Sequence, residues 1–332
     1  VAKGYVSVLD GPGAMGGAIN LVTRKPGKPL ELELRGTLDL DRDSDYAGYT
    51  VFALAGTRQD SWYAQASFAR SFQDHWDLPG GFRPSASEDG GARDLSRTED
   101  WRVNLKFGYT PNATDEYSLS YTRQAGAKNA PLSTTDPVSI QRYWSWPDWN
   151  IDSVYFLSTT QLVPGVTLKT RLYRNGFDNL LRAFDNAAQN SQTLRRAFNS
   201  YYRDVAWGGS AQLDADLSAA DRLSVALHYR RDRHVEYQQV FPSGFTEPHQ
   251  RNEEDTWSVA AQNRIALSPA VSLTVGASYD WRDLRRAEEY GTPPGGGADA
   301  LFSYPMRDAH VFNAQGQLVW TPAAGTRLHA SV

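Results

Sequence analysis

The chain has no cysteine. That excludes disulfide frameworks, thiol nucleophiles and Cys-based zinc or iron–sulfur sites. It also has no apolar run approaching the roughly 18–20 residues that a transmembrane helix needs. Val1-Ala2-Lys3-Gly4-Tyr5 lacks the charged and apolar regions of a signal peptide. There is no basic excess: the net charge is -4, which argues against a general nucleic-acid-binding surface. Mean hydropathy is -0.54, a value that ordinarily suggests a soluble protein. A membrane β-barrel gives a similar value, because its strands carry apolar residues only at alternate positions. What the chain does have is aromatic residues, 10 Trp, 17 Tyr and 13 Phe, so their placement becomes the next question.

From about residue 30 the dominant signal is alternation with period 2, the mark of a strand with two different faces. Trp101, Val103, Leu105, Phe107 and Tyr109 fall on one face, and Arg102, Asn104, Lys106 and Gly108 on the other. Leu30, Leu32, Leu34, Leu38 and Leu40 oppose Glu31, Glu33, Arg35, Thr37 and Asp39. Val271, Leu273, Val275, Ala277, Tyr279 and Trp281 oppose Ser272, Thr274, Ser278, Asp280 and Arg282. The segments 207–217, 223–229 and 312–320 repeat the pattern, whereas 46–57 and 150–163 carry apolar residues on both faces. The alternating runs are about 9–12 residues long. That is the length of a tilted transmembrane strand, about 9–11 residues, and longer than the about 5–6 usual in soluble proteins. Arg102, Lys106, Asp214, Asp216, Asp280 and Arg282 on the polar face would be costly in a dry core. A water-filled or plugged lumen removes that cost.

The connections alternate in length. Short ones are expected at 58–60, 111–114, 164–165, 218–221, 268–270 and 322–325, and long ones near 73–97, 127–148, 178–199, 236–255 and 284–310. This asymmetry matches the short periplasmic turns and long outer loops of outer-membrane barrels. Trp62, Tyr109, Tyr117 and Trp320 sit beside short turns, where an interfacial aromatic girdle would place them. The expected fold is therefore an all-β, antiparallel transmembrane β-barrel, with about twelve strands and the start of another in this chain.

The N-terminal residues carry a second signal. Gly11, Pro12 and Gly13 form a glycine-rich turn, and Gly16-Gly17-Ala18-Ile19-Asn20-Leu21-Val22-Thr23 runs from glycines into a β-branched segment. Glycine permits close backbone approach and positive φ at little steric cost. No Walker-type Lys-Ser/Thr follows, so a phosphate loop is not expected. Val6-Ser7-Val8-Leu9-Asp10-Gly11-Pro12, which matches a plug strand, followed by Gly-Gly-x-Ile-Asn-x-x-Thr resembles the plug–barrel junction of TonB-dependent outer-membrane receptors. Asp10 stands where that family usually has a basic residue. The resemblance implies that residues 1–29 are the C-terminal end of the plug, with Gly11, Pro12, Gly16, Gly17 and Asn20 as its motif residues. It implies that residues 30–332 are the N-terminal part of the barrel, 12–13 strands of about 22. The chain is then expected to be a fragment.

The same resemblance implies TonB-driven import of a scarce ligand across the outer membrane of a Gram-negative bacterium, a ferric siderophore before haem, vitamin B12 or a sugar. The expected partners are the TonB complex, through a segment not in this chain, the ligand, and outer-membrane lipid and lipopolysaccharide. No nucleic acid, cofactor or enzymatic activity is expected. Ligand contacts are expected from aromatic and basic residues near the outer loops. These are Tyr143, Trp144, Trp146 and Trp149 in one long link, Arg182, Arg195 and Arg196 in the next, and Arg231 and Arg233 in a basic run near an outer strand end. The last pair could equally meet lipopolysaccharide phosphates or local acids. The six histidines show no tight metal-ligand spacing, and nothing resembles a nucleophile elbow. A passive porin-like or other plugless channel is the alternative reading, but it gives residues 5–26 no role. A soluble propeller would need a blade repeat of about 40–50 residues, and none is present.

Overall fold

The structure is a computed structural model that describes residues 2–3, 7–13, 17–18 and 22–332. Two short strands, β1 (Ala2–Lys3) and β2 (Gly17–Ala18), pair antiparallel. Next come β3 (Glu31–Leu40), β4 (Tyr46–Arg58), β5 (Trp62–Gln73), β6 (Thr98–Tyr109) and β7 (Glu116–Asn129). They are followed by β8 (Tyr143–Val163), β9 (Val166–Phe184), β10 (Phe198–Ser218) and β11 (Asp221–Val240). The rest are β12 (Phe245–Thr246), β13 (Gln250–Ser268), β14 (Val271–Gly291), β15 (Ala300–Ser303), β16 (Ala309–Ala323) and β17 (Thr326–Ser331). From β3 to β17 they form one antiparallel meander, in which only β12 and β15 lie off the main path, against β11 and β14. The path contains 13 strands, and among the described residues β3 and β17 do not pair, so the sheet is open.

The alternation read from the sequence sets the two faces. Leu105 and Phe107 on β6 and Leu119 on β7 are about half exposed, as lipid-facing side chains are in a chain stripped of its bilayer. The opposite face is polar and internally bonded. Asn104 donates from Nδ2 to Ser67 Oγ (3.3 Å) and accepts from Thr122 Oγ1 (2.9 Å). Short turns close one end of the sheet. Between β8 and β9, Gly165 takes φ +83, which an L side chain would adopt only with strain. Aromatic residues gather at this end, with Trp62 and Phe107 stacked at 6.3 Å and Tyr109 and Tyr117 at 6.5 Å. A second aromatic row crosses the outer face nearer the long-link end. Tyr229 lies 5.5 Å from Trp207 and 4.4 Å from Trp257, which is 6.1 Å from Trp281.

Two expectations need correction. Strands β8–β11, β13 and β14 are 19–21 residues long, so they continue well past the about 9–11 that cross a bilayer. The long links shrink accordingly, to 130–142, 185–197, 241–249 and 292–308; only 74–97 is as long as read. Beyond the bilayer both faces of a strand meet water. Backbone pairing then continues without hydropathy alternation, and pattern alone loses the strand. The second correction is local. Val8–Asp10, expected as part of a strand, forms a 3₁₀ turn. Ser7 Oγ accepts the Leu9 N–H, and the Asp10 N–H donates to Ser7 O at 3.0 Å.

Two outcomes follow. Leu105→Arg should cost about 2–4 kcal/mol, the penalty of a cation on the lipid face, and Asn104→Ser only about 1 kcal/mol for a weakened polar contact. Urea unfolding, from lipid vesicles, of a closed barrel that contains this chain measures both, and equal costs would refute the face assignment. The 332-residue chain expressed alone should not show heat-modifiable migration in detergent gels, because lipid does not tolerate two unpaired strand edges.

Candidate functional site

The lumenal face is identified by what docks on it. Residues 7–13 lie against β11, β13, β14 and β16 on one side of the sheet. Ser7 Oγ donates to Gln262 Oε1 (2.7 Å), and the Val8 N–H donates to Gln315 Oε1 (3.0 Å). Gln315 Nε2 donates to the same Gln262 oxygen at 2.8 Å, and His228 Nε2 lies 2.9 Å from Leu9 O. Gly11 packs on the His228 ring with φ +90, and a Cβ there would sit 3.1 Å from Nδ1. A cavity of about 880 Å³ opens beside this seat, lined by Arg171, Tyr173, Arg230, Asp232, Asp280 and Arg282 among others. Of the expected motif residues, Gly11 and Pro12 belong to this segment and Gly17, in β2, pairs with Lys3 of β1. Gly16 and Asn20 lie outside the described residues. His228, Gln262 and Gln315 drew no attention in the sequence, because their role depends on a partner more than 200 residues away.

Strand register carries the lumenal face outward. His228 pairs across Ser210 to Arg171, and His234 across Asp204 to Phe177 and Ile151. One step further, Tyr202, Asn179 and Trp149 are in register on the same face. Trp144, Trp146 and Trp149 would not share a face under strict alternation. A bulge between Ser145 and Asp148 inserts one extra residue on β8. Its position contains Pro147, which has no N–H to give a ladder and is at home in a bulge. The bulge swings Trp149 to the side of the other two tryptophans. Trp144 and Trp146 meet edge to face at 6.1 Å, and Trp146 and Trp149 at 6.3 Å. Phe177 joins Trp149 at 5.3 Å and Phe198 joins Trp144 at 6.3 Å. Two cations cover this ledge: Lys128 Nζ lies 3.7 Å from the Trp149 ring centroid, and the Arg142 guanidinium lies 4.8 Å from that of Trp144. Such contacts hold a cation against an aromatic face while leaving part of its charge available.

The other expected contacts are placed apart from the ledge. The four aromatics of 143–149 are on a strand, not a loop. Tyr143 pairs with Phe184 on the opposite face, and the Arg196 guanidinium covers its ring at 5.2 Å. Arg182 is within β9, not in the next link, and its register puts it on the outer face beside Asn199 and Ser145. Arg231 and Arg233 lie mid-strand in β11 on the outer face, above the aromatic row. Arg231 Nε is 3.2 Å from Asp255 Oδ1 and Arg233 Nε is 3.5 Å from Glu253 Oε1. Asp255 is buried and also receives Arg285 at 2.8 Å, so these arginines pair with local acids. Arg195 and Arg196 stay in the 185–197 link. Lys128, Phe177 and Phe198 were missed, since each gains its meaning only from cross-strand register, and Arg142, two residues before Trp144, was not among the expected contacts.

The link carrying Arg195 and Arg196 is closed by Asp185. Its carboxylate accepts from Ser191 Oγ, from the Thr193 hydroxyl (3.0 Å) and from the Thr193 and Leu194 N–H groups (2.6 and 3.1 Å). Desolvation alone would raise its pKa, but these four bonds outweigh it and hold the group at about 2, below the ordinary 3.8. A carboxylate with a lowered pKa contributes its stabilisation above the ordinary value and loses it as pH falls through the lowered one. Amide protection of Thr193 and Leu194 in hydrogen exchange, corrected for intrinsic rates, should hold at pH 5 and be lost near pH 2. Asp185→Asn should lower it already at pH 7.

No protein-family model and no curated protein sequence matches this chain. Solved structures do. The copper transporter OprC superposes with a TM-score of 0.76 at 14% identity, over 99% of this chain and 49% of its own. The FrpB iron transporter from Neisseria meningitidis (F3-3 variant) gives 0.72 at 15% identity, over 99% and 51%. The ferric yersiniabactin uptake receptor FyuA from Yersinia pestis gives 0.68 at 13%, over 96% and 48%. The chain spans about half the length of each. An open meander of long strands, apolar outside and polar within, with an N-terminal segment seated on the inner wall, is thus the fold this chain shares with about half of each of these transporter and receptor chains.

Proposed function

We propose that this chain is part of a TonB-dependent importer in the outer membrane of a Gram-negative bacterium. Residues 1–29 are the end of its plug and residues 30–332 the N-terminal part of its barrel. The observation that carries this reading is the seat of residues 7–13 on the polar lumenal wall, held by Gln262, Gln315 and His228. An open porin has no need of such a segment. A lumen blocked by its own chain needs energy to clear it, which is the part the TonB complex plays.

The ligand class follows from the ledge. Trp144, Trp146 and Trp149 offer broad aromatic faces, and Lys128 and Arg142 offer positive charge beside them. A ferric complex with aromatic catecholate or phenolate arms and net negative charge fits both features. The outer-face arginines Arg182, Arg231 and Arg233 stand above the lipid-facing aromatics, where lipopolysaccharide headgroups are the natural neighbours. Arg195 and Arg196 frame the approach from the 185–197 link, while Tyr143 lies on the outer face of β8 under Arg196.

Uptake of ⁵⁵Fe-labelled ferric catecholate by cells expressing the protein should require TonB. Trp146→Ala with Trp149→Ala should weaken binding about ten-fold, equivalent to ~1.4 kcal/mol, and Arg233→Ala should leave it unchanged. Uptake that persists without TonB, or steady ion conductance in planar bilayers, would favour a passive channel instead.

A further inference from the structure

The β3–β4 turn and the start of the long β5–β6 link meet at Asp41, His75 and Asp77. One ligand-type atom from each lies within 4.8 Å of the other two. Sequence spacing gave no hint of this group, because Asp41 stands on a different turn from the other two.

Both strands hold the group in place. The Asp74 N–H donates to Ala47 O (2.8 Å) and Gln73 Nε2 to His75 O (2.6 Å), which ties the start of the link to β4 and β5. Asp41 Oδ1 accepts the N–H groups of Asp43 (3.0 Å) and Asp45 (2.7 Å), which leaves Oδ2 turned to His75. Asp77 Oδ2 accepts the Arg42 N–H at 2.6 Å, so it is oriented from the same turn.

The histidine is the decisive residue. Its Nδ1 faces Asp74 Oδ2 at 3.2 Å. With the proton on Nδ1, Nε2 presents a bare lone pair. That atom is fully buried and has no hydrogen-bond partner. It faces Asp41 Oδ2 at 3.6 Å, too far for a charge-assisted hydrogen bond, which closes to about 2.7–2.9 Å. A lone pair facing a carboxylate calls for a cation between them, a proton or a metal ion, and Asp77, with an oxygen within 4.8 Å of both other ligand atoms, gives a metal ion the further ligand that a proton would not need. A tetrahedral zinc ion with bonds of about 2.0–2.2 Å sets its ligand atoms about 3.3 Å apart; His75 Nε2 and Asp41 Oδ2 are 3.6 Å apart, and the Asp77 oxygen lies within 4.8 Å of both. Asp74 on the far ring nitrogen supplies the carboxylate that commonly orients a metal-bound imidazole. The nitrogen ligand favours a borderline transition ion over calcium or magnesium, which prefer oxygen alone.

We propose that Asp41, His75 and Asp77 form a divalent transition-metal site of the zinc type, one that ties the first long-link-end turn to the 74–97 link. Neither the ledge nor the import reading enters into it.

Calorimetric titration of Zn²⁺ into the chelator-stripped protein, purified from membranes in detergent, tests this. The expected result is one site that weakens at least ten-fold in His75→Ala and in Asp77→Asn. Asp77 is exposed, so its variant keeps the test valid if His75→Ala fails to fold. Asp94→Asn, in a separate acidic group at the far end of the same link, should leave the isotherm unchanged. Three results would overturn the assignment: no Zn²⁺ binding by the parent protein, equal binding in the Asp77→Asn protein, or Ca²⁺ binding at the site as tightly as Zn²⁺.

Discussion

Every backbone N–H and C=O inside a bilayer needs a partner from the protein, and the continuous ladder from β3 to β17 meets that need for every strand between its two open edges. The rest of the molecule depends on it. Once each strand is committed to two neighbours, its side chains have only two directions to take. The lipid side takes Leu105, Phe107 and Leu119, and the lumenal side takes the Ser67–Asn104–Thr122 chain of polar contacts. Charged residues that would be ruinous in a dry core become ordinary wall residues of a wet interior. Lys106, for instance, donates to Thr23 at 2.6 Å on that side.

The sequence was legible where the bilayer imposes its own pattern. Trp101 to Tyr109 reads as a strand because one face must be apolar along its length, and β6 spans those residues. It became illegible where that demand ends. The upper halves of β8 to β14 are paired as firmly as the lower halves, yet water bathes both faces and the alternation fades. Arg231 and Arg233 were read as a strand-end cluster for this reason, although β11 continues to Val240. The seat of residues 7–13 was half legible. The glycine turn showed that the backbone must come close to something, but His228, Gln262 and Gln315 could be found only through the fold.

The ledge depends on a single irregularity. Without the extra residue near Pro147, Trp149 would face away from Trp144 and Trp146, and Lys128 would lose its closest ring. Here composition and position do separate work: four aromatics in nine residues supply the material, and the bulge decides which of them share a surface. Tyr143, from the same run, falls on the other face. An aromatic cluster in sequence is therefore a poor guide to an aromatic cluster in space when a strand carries a bulge.

The seat of the N-terminal segment also has a meaning in time. Ser7 is bonded to a residue 255 positions later, Val8 to one 307 later, and Leu9 to one 219 later. The residues at the start leave the ribosome first, yet the surface that receives them exists only after β11, β13, β14 and β16 have been laid down. Segment 7–13 must wait, unseated, until the strands from β3 to β16 have been laid down. Its docking is a late event, and it reports that the strands opposite it have reached their final register.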